Sequence, residues 1–332
     1  MNHWNLNNRL RTGAVALLAV ALLGAACGGG ASQSVELPDS ITLDWAYYNP
    51  VSLVLRDQGI LEGALAAEGV TVNWVQSAGS NKAIEFLNSG SVQFGSTAGA
   101  AALLAKINGS PIRSVYSYSK PEWTALVTNG ASEIEEVADL SGRSVAVTRG
   151  TDPYIFLLRA LADHGLSESD IEVVLLQHAD GKNALVTGQV DAWAGLDPMM
   201  AQAELEEGAR LFYRAPDLNT WGVLNVDEEF ARRYPGIVET VIAVYEEGRA
   251  WALANPAGLQ AILAEAAGLS PEVAAKQLER TDFSTPAIGP SQHDTILAAG
   301  QALQESGVIE ANVDVAAAVA ALLDSSFTEG LD

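Results

Sequence analysis

Cysteine is almost missing from this chain. Cys27 is the only one in 332 residues, so no intrachain disulfide can form and stability must come from buried apolar side chains. Histidine is scarce as well, with four in all, and none is paired at the spacing of a metal site. The sequence lacks a Gly-x-Ser-x-Gly elbow and a phosphate-cradling Gly-rich loop with Lys-Ser/Thr. Gln93-Phe94-Gly95-Ser96-Thr97 sets a serine after a glycine but has nothing else of such a motif. Positive charge is thin: 18 basic side chains face 41 acidic ones, a net charge of −23. Dispersed acids of this kind read as a solvated surface, and they argue against nucleic acid and against charge-driven docking on anionic lipid. Metal, nucleophilic and phosphate chemistry thus have no obvious carrier. We expect no enzyme activity, catalytic residue, metal or cofactor.

Long apolar runs are also wanting. The run at residues 13–26 (GAVALLAVALLGAA) has 14 residues, short of the roughly 20 a spanning helix needs. It follows a polar stretch carrying Arg9 and Arg11 and no acid, which is the layout of an export signal. Its end, Leu23-Gly24-Ala25-Ala26-Cys27, resembles a lipobox, in which the cysteine is acylated and becomes the new N-terminus. Residues 1–26 are therefore expected to be a lipoprotein signal peptide. Residues 27–40, Cys27 followed by GGGASQSVELPDS, are expected to form a flexible lipid-anchored tether. Loss of 1–26 removes two arginines and no acid, leaving 16 basic against 41 acidic side chains, or −25. The roughly 290 residues that follow are more than one typical domain holds.

From Ile41 on, short strand-like runs alternate with amphipathic helical runs. ITLDWAYY (41–48) and VTVNWVQ (70–76) read as strands, with helices at 81–88 and 98–107 and another strand at 112–118. The pattern restarts with SVAVT (144–148), a helix over 151–163, a strand at 171–176 and a helix over 181–187. Such alternation is the mark of an α/β sheet. After 221–226 the chain is almost wholly helical. Crossings between two lobes are expected at 127–130 and 219–226.

In open α/β sheets ligands bind at the carboxyl ends of strands, and helix N-termini there favour anions. Three strand-to-helix loops carry small or hydroxyl residues: Gly79-Ser80-Asn81, Ser96-Thr97-Ala98 and Arg149-Gly150-Thr151. Each alone is also ordinary helix capping. In order along the chain come Gly59-Ile60-Leu61-Glu62, the loop and helix from Ala78 to Leu87, and Gly90-Ser91-Val92-Gln93-Phe94-Gly95-Ser96-Thr97. Asp139-Leu140-Ser141-Gly142-Arg143, Gly188-Gln189-Val190-Asp191-Ala192-Trp193 and Asp197-Pro198 follow. From Ile41 to about Ala254 this series resembles the ABC-importer solute-binding proteins for aliphatic sulfonates, taurine and nitrate.

The resemblance implies a two-lobed α/β protein of the type II periplasmic-binding fold. Each lobe would be a mixed sheet flanked by helices, joined by two crossings, with lobe 1 at 41–126 plus 222–332 and lobe 2 at 127–221. It further implies a small organic anion or zwitterion between the lobes, an aliphatic sulfonate or taurine first, then a thiamine-precursor pyrimidine, nitrate or bicarbonate. By position it nominates Tyr47, Tyr48, Asn49, Ser80 and Thr97 from the first lobe, and Thr151, Trp193 and Asp197 from the second. Tyr47 and Trp193 could equally be core, whereas Tyr48 is read first as a ligand contact. Lys120 and Arg149 are the candidates for ion pairing with the ligand, or are simply solvated. Asn219 with Trp221 would close the cleft floor or pack the hinge. Asp152 departs from the family pattern, either capping its helix or meeting a cationic group on the ligand, and Leu196 stands where the family often has an aromatic. Expected partners are a membrane permease and its ATPase, with the chain itself a monomer held extracytoplasmically by lipid at Cys27. Two other classes remain: a pyrimidine-synthase-like enzyme, disfavoured because the histidines lie outside the strand-end loops, and an exported ligand sensor, which neighbouring genes would separate from an importer.

Overall fold

The computed structural model describes residues 37–331. The segment expected to be an export signal, Cys27 and most of the expected tether lie outside them. The tether reading ends early, because Leu37 already packs against the core and Ser40 opens the first strand.

The chain begins β1 (Ser40–Trp45), α1 (Pro50–Gln58), α2 (Ile60–Ala66), β2 (Thr71–Gln76), α3 (Ser80–Asn88), β3 (Phe94–Ala98), α4 (Gly99–Ile107) and β4 (Ile112–Pro121). It continues with β5 (Leu126–Thr128), β6 (Ser144–Val147), α5 (Asp152–Asp163), β7 (Glu172–Leu175), α6 (His178–Val186), β8 (Ala192–Ala194), α7 (Met199–Glu206) and β9 (Arg210–Tyr213). It closes with β10 (Gly222–Asp227), α8 (Glu228–Arg233), α9 (Pro235–Ala254), α10 (Pro256–Ala267), α11 (Pro271–Glu279), β11 (Thr281–Asp282), α12 (Pro290–Glu305) and α13 (Val315–Leu322).

Two mixed sheets result, as expected. One has the order β11-β4-β10-β3-β1-β2 and the other β7-β6-β8-β5-β9. In each, three strands run parallel (β2, β1, β3 and β7, β6, β8) and the next runs against them. The parallel strands bring the loops at their carboxyl ends to one edge of each sheet.

The crossings fall a little off the expected places. Val127 pairs with Trp193 and Leu211 inside β5, so the first crossing is Glu122–Ala125, not 127–130. The second occupies 214–221, since Gly222 already belongs to β10.

Local chemistry explains the elements around the site. Asn49 accepts from Ser52 N–H with its side chain and caps α1, Pro50 sits where a first turn tolerates it, and Gly59 ends the helix in the left-handed region at φ 63. Val51, Leu53, Val54 and Leu55 form the buried face of α1; a fully buried residue of this size contributes roughly 1.5–3 kcal/mol. That face meets α9 at Gly248, where a Cβ would stand 2.2 Å from Leu55 Cδ1. A second core runs through α4, α12 and α13 of the first half into α5 and β6 of the second, joining Leu103, Ile296 and Leu303 to Val145 and Ile155.

Among the described residues no helix is long and apolar enough to cross a membrane. No group of three or more His, Cys, Asp or Glu side chains among them could hold a metal ion.

Candidate ligand-binding site

The foundation of the site is an acid that sequence reading passed over. Asp44, next to the carboxyl end of β1, is fully buried. Its Oδ1 accepts from Ser96 N–H at 2.8 Å and Ser96 Oγ at 2.9 Å, and its Oδ2 accepts from Ser77 Oγ. One carboxylate therefore ties the ends of β1, β2 and β3 together. Burial pushes it up from 3.8 to about 7, against the pull of those three donors. Above it, Tyr48 O–H lies 2.9 Å from Ser96 O and 3.0 Å from Ser77 Oγ.

Two neighbouring cavities share Tyr48. The small one, about 10 Å³, is lined by Tyr48, Ser80, Trp123, Thr151, Asp152 and Leu196 among others. That is room for about one water. The larger, about 280 Å³, lies between Tyr47, Tyr48 and Ser77 of the first sheet and His178, Asp197 and Met199 of the second, with Leu269 beyond. Around them α3, α5 and α6 begin at Ser80, Asp152 and His178, and none of the three has a side-chain cap. Their first-turn N–H groups supply partial positive charge from both sheets. The capping expected of Ser80 and Thr151 is absent. Ser80 Oγ instead accepts from Ala98 N–H at 3.0 Å, and Thr151 Oγ1 donates to Thr148 O at 2.6 Å.

Of the nominated residues, Tyr48, Ser80, Thr151 and Asp152 line the small cavity and Tyr47, Tyr48 and Asp197 the large one. Asp152 lines the small cavity but does not cap α5. It accepts from Trp123 Nε1 at 2.9 Å, Thr220 N–H at 2.9 Å and Thr220 Oγ1 at 2.8 Å, joining both crossings to the start of α5. Burial raises its pKa, opposed by those bonds and by Lys120. Asp197 accepts from Ala201 N–H at 2.8 Å and faces Arg280 at 3.5 Å, and burial raises it to about 6. Arg280, which also pairs with Glu204, comes from the end of α11, so a buried ion pair clasps the two halves.

The remaining nominees lie elsewhere. Asn49 is used by the α1 cap and by Ser96 Oγ. Thr97 is inside β3, where its Oγ1 accepts from Asn225 Nδ2 at 2.8 Å. Trp193 is wholly buried in the second sheet's core with Leu185 and Met200. Asn219 holds Thr124 N–H at 2.8 Å and bridges the crossings. Lys120 Nζ donates to Asn219 O and sits 5.9 Å from the Trp221 ring, so Trp221 belongs to the hinge packing; burial lowers the Lys120 pKa. Arg149 is on the outside, paired with Glu168 at 2.6 Å and stacked 5.2 Å from the Tyr154 ring.

Sequence reading also misplaced a histidine. His178 is the first residue of α6, directly after β7, and lines the large cavity. It faces the first sheet so closely that a Cβ on Gly79 would lie 2.9 Å from its Nε2. The expected helix start at Gly181 hid it. Trp123 was missed too; its ring stands edge-on to Tyr48 at 6.0 Å, in the crossing between the sheets.

The family model described as NMT1/THI5 like matches residues 62–258. The chain belongs to the NMT1/THI5-like family. An aliphatic sulfonates-binding protein of Escherichia coli (strain K12) is 32% identical over 216 residues, covering 64% of this chain and 68% of that protein. The structure of the alkanesulfonate-binding protein from Xanthomonas axonopodis pv. citri bound to MOPS superposes with a TM-score of 0.78 at 24% identity, over 85% of this chain and 98% of that one. The family member described here thus has the periplasmic-binding-protein fold. The fold also occurs in a desulfurization enzyme, with a TM-score of 0.64 and 15% identity over 87% of this chain and 97% of the other. Function must therefore be argued from the site.

Proposed function

We propose that this family member is the extracytoplasmic binding subunit of an ABC importer and captures an aliphatic sulfonate between two lobes that meet at the crossings 122–125 and 214–221. The observation that carries the reading is the shape of the paired cavities. One end is ringed by the uncapped starts of α3 and α5, at Ser80 and Thr151, and suits an anion. The other is a 280 Å³ chamber walled partly by Met199, Ala267 and Leu269, and suits an alkyl or amino-alkyl tail. Nitrate or bicarbonate would leave that chamber unfilled. Because the anion end holds about 10 Å³, a sulfonate enters only as the halves part about the crossings and is gripped as they close. Arg280 and Asp197 would re-form their pair on closure.

The cleft hydroxyls support binding over catalysis. Thr151 donates to Thr148 O, Tyr48 contacts Ser96 O and Ser77, and Ser80 accepts from Ala98 N–H, so none of these three is paired directly with a base that would activate it. Ser77 does donate to Asp44, but that carboxylate is fully buried and shared with Ser96 as part of the platform. The partners in this reading are a permease and its ATPase, with Cys27 as the lipid anchor. The test is a thermal-shift screen of the full chain in detergent against alkanesulfonates, taurine, nitrate, bicarbonate and aminopyrimidines. A ligand at 100 times its dissociation constant adds about 2.7 kcal/mol. Stabilisation by sulfonates supports the reading; stabilisation by the pyrimidines alone sinks it.

A further inference from the structure

His178 is unusual among the cleft residues because its chemistry is incomplete. The side chain is 1% exposed, and its Nε2 is buried without a hydrogen-bond partner. Its other nitrogen fixes what Nε2 can do. Nδ1 lies 3.2 Å from Thr148 Oγ1, and that hydroxyl donates its only proton to Leu176 O at 2.7 Å. Thr148 can therefore only accept from the ring, which places the proton on Nδ1. Nε2 is left as a bare lone pair. Burial also pushes the ring down to about 3, so it stays neutral and Nε2 is an acceptor.

An acceptor cannot hold a sulfonate, whose oxygens are acceptors too. It can hold an N–H or O–H. Gln177 Oε1, on the same wall of the large cavity, is likewise buried without a partner. Asp197 is already engaged by Ala201 N–H and Arg280, so the open acceptors here are His178 Nε2, Gln177 Oε1 and Asn81 Oδ1. Of these only His178 is held in one donor–acceptor sense, by Thr148. A buried acceptor left unpaired costs roughly 1–3 kcal/mol, and a ligand that completes it recovers that penalty.

We propose that His178 Nε2 is a specificity-determining acceptor, and that the preferred cargo is a short sulfonate bearing a hydroxyl or amino donor on its tail. This rests on the sulfonate reading above. The anion would sit between the starts of α3 and α5, and the tail donor would meet His178 in the large cavity.

The test is calorimetric titration of the full chain in detergent with ethanesulfonate, 2-hydroxyethanesulfonate and 2-aminoethanesulfonate. The hydroxy or amino compound should bind about tenfold tighter than ethanesulfonate. In His178→Leu that preference should fall to within about twofold, whatever the change in ethanesulfonate affinity itself. A second measurement needs no variant. In long-range proton–nitrogen spectra of the native protein, the Nε2 resonance should move upfield with the hydroxy compound and stay put with ethanesulfonate. Equal affinity for all three compounds, a preference that survives in His178→Leu, or an unmoved Nε2 resonance would each overturn the assignment while leaving the sulfonate reading intact. Binding of no sulfonate at all would defeat both.

Discussion

At the first sheet's edge, Asp44, Ser77, Ser96, Tyr48 and Asn49 direct their polar atoms at one another. At the second sheet's edge, Gln177 Oε1 and His178 Nε2 are buried with nothing to bond. The network around Asp44 is closed on itself, with Asn81 Oδ1 at the start of α3 the acceptor left open beside it, whereas the second wall's acceptors are open. A closed hydrogen-bond network in a low-dielectric interior is rigid, so the first wall is a platform whose shape is set before any ligand arrives. The second wall carries the chemistry that a ligand completes, and it discriminates between cargoes.

The sharpest way to break this contrast is to open the platform. Asp44→Ala strands the Ser77 and Ser96 donors in the interior and should cost about 3–4 kcal/mol of stability in chemical denaturation. The pH dependence has a definite sign. Asp44 titrates near 7 when folded against 3.8 when free, so its contribution is fully present below about pH 3.8 and is lost as pH rises toward 7, beyond which it stays flat. Asp197, raised to about 6, adds to the same fall. Asp44→Asn should therefore flatten the stability profile between about pH 4 and 7.

Next in size is the clasp between the walls. Arg280→Gln leaves Asp197 buried and unpaired and should destabilise by about 3 kcal/mol, read by the same denaturation. Gly79→Ala acts on stability and function together. Its Cβ would press on His178 across the cleft and on Asn81 beside it, so ligand affinity should fall about tenfold in calorimetry and stability by about 1–3 kcal/mol. Smallest of all is Arg149→Gln. Its side chain is 57% exposed in the pair with Glu168, and the change should cost under about 1 kcal/mol with no loss of affinity.

These contrasts also separate what the sequence revealed from what it hid. The two sheets were legible because strand and helix periods alternate strongly from Ile41 onward. Ser80 and Thr151 were legible because strand-to-helix loops gather at one sheet edge whatever their details. Asp44 was not, since an acid in an alternating strand reads as its solvated face. Thr97 and Trp193 lie in the expected segments, but their side chains turn into Asn225 and into the second core, and no local pattern shows direction at a strand end. His178 was hidden by Asp180-Gly181, which mimics a turn before the helix. Leu269 and Arg280 reach the cleft from the helical C-terminal third, whose tertiary placement leaves no local signature.

The most direct measurement is a crystal structure of the chain with a short alkanesulfonate. The account predicts the sulfonate between the first turns of α3 and α5, touching Ser80 and Thr151, with its tail beside His178 and Leu269. A sulfonate bound outside the cleft, or held by Arg149 on the surface, would contradict it.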